Sequence, residues 1–332
     1  MWELRTDEVL QRWVLYSTVR GKRPHAFAAP PEQMTPSAQC PFCPGNERMT
    51  PPAYRIYLPP AENPVVVEGE DAAYQTGWLV RCIPNLYPAV APPDKASPPV
   101  SGFHELIIET PHHEDHPGVM PVRQLSLVFR AILDRLSELK EVEAVRYVSI
   151  FRNHHRRAGA SLAHPHLQLV ATTFLPPRVE QEQVAFTKYL DAEGGCYLCR
   201  AIEQAREQER LVFETERFAA FTPRATISPF EVWVAPQFHQ ARLLDQSSSD
   251  REELAKILSH TLKALRALLN DPPYNLVVHH CWREEKPAYH WHIRIIPRVT
   301  TYAGFEYGTG VIINPVLPEQ AAAALRKLAT KT

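Results

Sequence analysis

The sequence predicts an α+β fold built from two copies of one unit, each containing a long amphipathic helix and several strands. Two observations carry this prediction. Two long stretches show the helical periodicity of apolar residues, and each is followed by two segments rich in β-branched residues. Histidines and paired cysteines also recur in the same order in the two halves of the chain, which indicates an internal duplication.

Length and charge exclude several classes of protein. The chain has 332 residues and a formal net charge of -1 at pH 7, so it offers no basic field for nucleic acid. No stretch approaches the roughly 20 apolar residues of a membrane-spanning helix, and the first residues do not form a signal peptide. We therefore expect a cytoplasmic protein with neither a nucleic-acid nor a membrane partner.

The first long helix is predicted from Pro121 to Val142. Strand patterns follow it at Tyr147–Arg152 and Leu167–Thr172, and another precedes it at Glu105–Ile108. The apolar positions that recur on one helix face are Leu125, Val128, Phe129, Ile132, Leu136 and Leu139.

The second long helix is predicted to open at the capping-box pattern Ser249-x-x-Glu252. Strand patterns follow it at Asn275–Val278 and His292–Ile296, and one precedes it at Glu231–Val234. This order of strand, helix and two strands is the same as in the first half of the chain.

Histidine spacing strengthens the case for duplication. The same number of residues separates His113 from His164 as separates His239 from His290, and a Cys-x-x-Cys pair lies upstream of each histidine pair. Two thiolates and two imidazoles make a closed tetrahedral zinc site, so we expect two zinc ions per chain. The two predicted tetrads are Cys40, Cys43, His113 and His164, and Cys196, Cys199, His239 and His290.

A redox role is the main alternative for the cysteine pairs. A thioredoxin-like pair should open a helix within a βαβ unit, whereas Cys40–Gly45 lies in a proline-rich segment. His112 and His116 flank His113 and could replace it as a metal ligand. The repeat spacing is what selects His113.

His164, His166 and Gln168 enter a predicted strand at alternate positions, so their side chains should share one face. Such a pattern is often only solvated surface or a pair of metal ligands. If His164 binds the first zinc ion, however, His166 remains free beside it. A neutral imidazole is a good nucleophile toward phosphorus, and the amide of Gln168 can donate to phosphoryl oxygens.

From Arg12 to about Lys327 these motifs resemble the galactose-1-phosphate uridylyltransferase family of the histidine-triad superfamily. The resemblance implies two histidine-triad-like repeats, each an antiparallel sheet with a long helix packed across it. It makes His166 the catalytic nucleophile and Gln168 the residue that stabilises the nucleotidylated enzyme. It also implies substrate binding by Arg20, Arg23, Asn85, Asn153, Gly159 and Ser161.

The second half departs from the catalytic pattern. We divide the chain into a catalytic repeat at residues 1–178 and a degenerate repeat at 179–332, because His292 occupies the position of His166 but Arg294 replaces Gln168. The second cysteine pair resembles the ADP-glucose phosphorylase relatives of the family, which carry two zinc sites.

The resemblance implies a homodimeric nucleotidylyltransferase that works by double displacement. Its predicted substrates are a nucleotide sugar and a hexose 1-phosphate, with UDP-glucose and galactose 1-phosphate as the expected pair. Three alternatives stay open. An ADP-glucose phosphorylase would use phosphate as acceptor, a histidine-triad hydrolase would use water but usually has a third histidine where Gln168 stands, and a zinc scaffold would have no activity.

Overall fold

The computed structural model describes residues 1–7, 9–22, 36–92, 101–283 and 287–329. The strands are β1 (Trp2–Asp7), β2 (Arg12–Ser17), β3 (Arg55–Leu58), β4 (Val65–Glu68), β5 (Val80–Pro84), β6 (Gly102–Ile108), β7 (Tyr147–His154), β8 (His166–Thr172), β9 (Leu211–Glu214), β10 (Phe218–Phe221), β11 (Val232–Pro236), β12 (Tyr274–His279), β13 (His292–Pro297) and β14 (Ile312–Asn314). The helices are α1 (Val122–Glu141), α2 (Pro177–Glu193), α3 (Tyr197–Glu207), α4 (Ser248–Leu269), α5 (Gly304–Thr309) and α6 (Pro318–Ala329).

One antiparallel sheet organises the molecule, in the order β4-β3-β5-β6-β8-β7-β12-β13-β11-β10-β9. Read outward from its centre, β8, β6, β5 and β3 on one side correspond in chain order to β13, β11, β10 and β9 on the other. The predicted α+β class with antiparallel strands is confirmed. We expected a separate sheet in each repeat, but β7 and β12 pair because their backbone groups would otherwise lack partners.

The two long helices cover one face of this sheet. α1 forms within one residue of its predicted limits and α4 begins within two residues of its predicted start, because their apolar positions recur with helical spacing. They contact each other, and their buried faces join strands of both halves in one hydrophobic core. Gly118, just before α1, lies so close to α4 that an added Cβ would stand 2.6 Å from the backbone nitrogen of Lys263.

The start of α4 differs from the prediction. Its capping box is formed by Ser247 and Asp250, not by Ser249 and Glu252. The Ser247 Oγ accepts from the Asp250 backbone N–H at 3.1 Å, and Asp250 Oδ2 accepts from the Ser247 backbone N–H at 3.0 Å. Arg217 also donates to the buried Asp250 carboxylate, whereas Glu252 is exposed, so tertiary contacts select the earlier pair.

Ser247→Ala should therefore lower the free energy of unfolding by about 1 kcal/mol, because it removes the oxygen that caps α4. Ser248→Ala is the matched control and should change it by less than about 0.5 kcal/mol, as for other exposed positions, whereas the Ser249 hydroxyl lies 2.9 Å from that of Ser247. Urea denaturation of both variants checks this. Equal losses would show that the cap is misassigned.

The N-terminal strands lie apart from the main sheet and attach to the second half. β1, β2 and β14 form a small sheet in which β2 and β14 are parallel. The hydroxyl of Tyr16 in β2 lies 3.0 Å from that of Thr226, and both side chains are buried. The opening segment is thus fixed to residues of the C-terminal half. Among the described residues, no helix is both long enough and apolar enough to cross a membrane.

Candidate active site and metal centres

His166 is the first residue of β8 and is almost fully buried. Its Nδ1 lies 2.8 Å from the backbone oxygen of His164. Since a carbonyl oxygen only accepts, Nδ1 carries the proton and donates, and the lone pair stays on Nε2. Burial lowers the pKa of His166 to about 4, so the ring is neutral near pH 7. The geometry therefore presents a fixed, neutral imidazole with one unprotonated nitrogen.

Gln168 follows on the same face of β8, and His104 of β6 determines which way its amide points. The backbone N–H of Ala89 donates to His104 Nδ1 at 2.9 Å, so the proton of this imidazole is on Nε2. Nε2 lies 3.0 Å from Gln168 Oε1 and donates to it. The NH₂ group of Gln168 makes no hydrogen bond within the part of the chain that the structure describes. Asn85 lies beside the same imidazole, with its Nδ2 3.1 Å from His104 Nε2, but both atoms carry protons, so this is a contact and not a hydrogen bond.

A loop at residues 153–161, here called the Asn153 loop, connects β7 to the His164 segment. Asn275 of β12 donates from Nδ2 to Asn153 Oδ1 at 2.8 Å, so the oxygen of the Asn153 amide is occupied, and its NH₂ group makes one long hydrogen bond of 3.5 Å to the Gly159 carbonyl. Gly159 has φ +98°, and an added Cβ would meet Asn153 Nδ2 at 3.4 Å. Ser161 is exposed at the end of the loop. The predicted residues Asn153, Gly159 and Ser161 thus share one loop, in which the backbone N–H of Gly159 donates to the Arg156 carbonyl at 2.9 Å.

The predicted arginines are less closely tied to this cluster. Arg20 lies on a short 3-10 helix at Thr18–Lys22 that follows β2. Among the described residues it forms no hydrogen bond with the Asn153 loop or with His166. Arg23 lies outside the described residues. The structure therefore brings together His166, Gln168, Asn85 and the Asn153 loop, and places Arg20 on the N-terminal segment.

The first tetrad adjoins His166, because one of its members, His164, lies two residues before it in the chain. The ligand atoms of Cys40, Cys43, His113 and His164 all lie within 4.8 Å of one another. Cys43 Sγ is 3.3 Å from His113 Nδ1 and 3.6 Å from His164 Nδ1. His164 donates from Nε2 to the Thr110 carbonyl at 2.8 Å, which leaves Nδ1 free as a ligand. Two thiols and two imidazoles at these separations fit a tetrahedral zinc ion.

The second tetrad repeats this arrangement in the C-terminal half. Cys196 and Cys199 each place Sγ 3.5 Å from His290 Nδ1, and His239 completes the group within the same 4.8 Å limit. Unlike the first pair, this one opens a helix, because Cys196 is the N-cap of α3. Two histidines facing the pair suit a metal centre better than a redox disulfide, since neutral imidazoles complete a tetrahedron.

Comparisons with known proteins point to one family. A family profile described as a domain of unknown function (DUF4921) matches residues 91–331. The chain is 30% identical to an ADP-glucose phosphorylase of Arabidopsis thaliana over 98% of this chain and 93% of that protein. It is also 30% identical to a galactose-1-phosphate uridylyltransferase of Thermotoga maritima over 98% of both chains. The chain belongs to the galactose-1-phosphate uridylyltransferase family.

Solved structures agree with this assignment. The crystal structure of an Arabidopsis thaliana ADP-glucose phosphorylase with bound ADP-glucose matches with a TM-score of 0.82 and 29% identity, over 98% of this chain and 99% of that one. A uridylyltransferase structure matches with a TM-score of 0.74 and 26% identity, over 100% and 99%. Both relatives transfer nucleotidyl groups, so the predicted enzyme class, nucleotidyltransferase, is confirmed.

Within this family fold, the second repeat keeps the histidine but not the free site around it. His292 Nδ1 lies 3.2 Å from the His290 backbone oxygen, which repeats the geometry of His166. Its ring, however, is stacked against Trp233 and is completely buried. Arg294, which replaces Gln168, is neutralised by Glu231 at 2.7 Å. This arrangement offers neither an accessible nucleophile nor an available donor.

A third histidine cluster differs from the tetrads. His154 and His155 place Nε2 3.1 and 3.0 Å from the two carboxylate oxygens of Asp271, and His116 lies nearby. The Gly118 backbone N–H donates to His116 Nδ1 at 2.9 Å, so the proton is on Nε2, where a ligand lone pair would be needed. We interpret this cluster as a hydrogen-bonded anchor for the start of the Asn153 loop.

Proposed function

We propose that this enzyme transfers a nucleotidyl group from a nucleotide sugar by way of a covalent bond to His166. One observation carries the proposal: the hydrogen bond from His166 Nδ1 to the His164 carbonyl, which leaves Nε2 as the only nitrogen with a lone pair. The carbonyl belongs to a predicted metal ligand, so the first tetrad would fix the direction in which Nε2 points.

In the first step Nε2 attacks the α-phosphorus, the bond to the bridging oxygen breaks, and sugar 1-phosphate leaves with the electron pair. The imidazole becomes a cation, and its Nδ1–H bond to the His164 carbonyl strengthens accordingly. In the second step a phosphate oxygen of the acceptor attacks the phosphorus. The P–N bond then breaks and returns neutral His166.

Negative charge develops on the equatorial phosphoryl oxygens in both steps. The NH₂ groups of Gln168 and Asn153 are oriented as donors by His104 and Asn275, so they need no reorientation when the charge forms. Ser161 adds a hydroxyl at the end of the loop. For the arginines Arg20 and Arg23 we propose contacts with the substrate phosphates, as the family resemblance implies.

Uridylyl transfer from UDP-glucose to galactose 1-phosphate is the proposed substrate pair. It is supported by 30% identity to the Thermotoga maritima uridylyltransferase across 98% of both chains. Adenylyl transfer from ADP-glucose to phosphate is the second candidate. The second cysteine tetrad and the higher TM-score of the phosphorylase, 0.82 against 0.74, favour it.

The test is an initial-rate assay of both substrate pairs at equal concentrations. Double displacement predicts parallel lines in double-reciprocal plots, and exchange of labelled glucose 1-phosphate into the nucleotide sugar without an acceptor. If ADP-glucose phosphorolysis exceeds uridylyl transfer by tenfold, about 1.4 kcal/mol in transition-state stabilisation, the second candidate replaces the first. Release of nucleoside monophosphate alone would indicate a hydrolase. Absence of nucleotide binding in calorimetry would favour the scaffold alternative.

We further propose two zinc ions per chain and a cytoplasmic homodimer. Bound zinc would supply a structural cross-link in each tetrad, while the residues of the chain carry out the transfer. The six free cysteines suit a reducing compartment. Elemental analysis of purified protein should give two zinc ions per chain, and light scattering should give twice the chain mass of 37.8 kDa. One metal ion or none would contradict the first expectation.

A further inference from the structure

A cleft of about 940 Å³ lies between residues 9–12 and one side of α2. We call it the α2 cleft. None of its lining residues belongs to either tetrad or to the Asn153 loop, and the catalytic pair His166 and Gln168 is also absent from its walls. The nucleotidyl transfer described above therefore leaves this cleft without a role. Residues that determine its chemistry are Leu10, Arg12, Arg178, Glu180, Val184 and Lys188.

Arg12 is the unusual member of this set. Its Nη1 is completely buried and has no hydrogen-bond partner, and its guanidinium forms no hydrogen bond or ion pair within the part of the chain that the structure describes. Two other buried arginines, Arg152 and Arg294, each pair directly with a carboxylate, that of Glu109 and that of Glu231. Asp7 and Glu231 lie close enough to act on the charge of Arg12, but neither accepts a hydrogen bond from it, so its donors remain able to bind a further anion.

The carboxylates near Arg12 are already committed elsewhere. Asp7 accepts from two backbone N–H groups of the turn that follows it, at 3.1 and 2.8 Å. Glu231 pairs with the arginine of β13, and Glu182 accepts from the last residue of β12 at 3.1 Å. Glu180 lines the same cleft but is exposed to solvent. The Glu180 carboxylate is therefore the group of this chain that would compete with a bound anion for Arg12.

We infer that the α2 cleft binds a phosphate-bearing small molecule, whose oxyanion pairs with Arg12. A guanidinium presents a planar fork of donors that matches two phosphate oxygens, and Arg178 and Lys188 add positive charge at the exposed rim. Leu10 and Val184 provide apolar surface for the rest of the molecule. This site is independent of the transfer reaction, because it contains none of the residues assigned to that reaction.

The experiment uses tungstate as a probe, since it is a tetrahedral oxyanion whose metal atom is located by anomalous scattering. In crystals of the wild-type protein, an anomalous peak is expected in the cleft, close enough to Arg12 for the tungstate oxygens to accept hydrogen bonds from its guanidinium. In calorimetry with inorganic phosphate, R12Q should lose one binding site per chain, or bind there at least about tenfold more weakly. R123Q is the charge-matched control, because Arg123 pairs with Glu62 on the exposed side of α1.

Several results would overturn the inference. The first is the absence of an anomalous peak at Arg12. The second is a structure in which Glu180, and not tungstate, binds Arg12. The third is an equal loss of phosphate binding in R12Q and R123Q. Zinc content and melting temperature check that R12Q is folded. If R12Q does not fold, R178Q and K188Q remain as exposed variants on the cleft rim. Each should weaken phosphate binding by about two- to fivefold, and unchanged affinity in both would contradict the site.

Discussion

His166→Asn is expected to reduce turnover by about 10⁴-fold or more, the size of loss seen when a covalent nucleophile is removed. Asparagine places its Nδ2 where the imidazole Nδ1 was, so it can still donate to the His164 carbonyl. It has no nitrogen lone pair in place of Nε2. Zinc content and folding should therefore stay the same while the chemistry is lost. Steady-state assays with both substrate pairs measure the effect.

His292→Asn is the matched control for this variant. His292 makes the same contact with the carbonyl of the residue two positions before it, but it lies in the second repeat, behind Trp233. It should keep most of the turnover even if its stability falls. Mass spectrometry of the intact wild-type protein, mixed with nucleotide sugar, should show a nucleotidyl adduct that His166→Asn lacks. An active protein with no adduct would indicate direct displacement between the two substrates.

Cys40→Ser is expected to remove one of two zinc ions and to lower the free energy of unfolding by more than about 4 kcal/mol. Cys40 is fully buried, and its tetrad joins three distant segments of the chain. A serine hydroxyl is a far weaker zinc ligand than a thiolate, so the cross-link opens. Chemical denaturation and elemental analysis of the same sample measure both effects.

Cys82→Ala provides the comparison for that experiment. Cys82 is also fully buried, in β5, but it belongs to no group of metal-ligating side chains among the described residues. Its substitution should cost about 1 kcal/mol from the lost sulfur contacts and leave both zinc ions in place. If Cys40→Ser kept two zinc ions and a wild-type unfolding midpoint, the first tetrad would be wrongly assigned.

Local patterns predicted the framework of this fold well. α1 and α4 were predictable because helical periodicity comes from burying one face, and β8 because its residues alternate between two faces. α2 was not predicted, since it buries only Glu182 and Phe186 and so has almost no apolar stripe. For the same reason, its role as a wall of the α2 cleft could not be read from sequence.

In the candidate site, too, features set by local sequence patterns were predictable and features set by contacts between distant residues were not. Repeat spacing was enough to group the two tetrads that the structure brings together, and strand alternation was enough to place His166 beside Gln168. His104 and Asn275 were missed because they act through hydrogen bonds to residues on other strands, with sequence separations of 64 and 122. No local pattern marks a side chain whose function is to orient a distant amide.

The pairing of β7 with β12 also bears on aggregation. In the described part of the chain, the edges of the main sheet are β4 and β9, each only four residues long, which limits the backbone available to another molecule. A protein cut between residues 178 and 179 would instead expose the whole of β7, eight residues of largely buried strand. The second repeat therefore covers a strand edge of the first that would otherwise be open to pairing with another molecule.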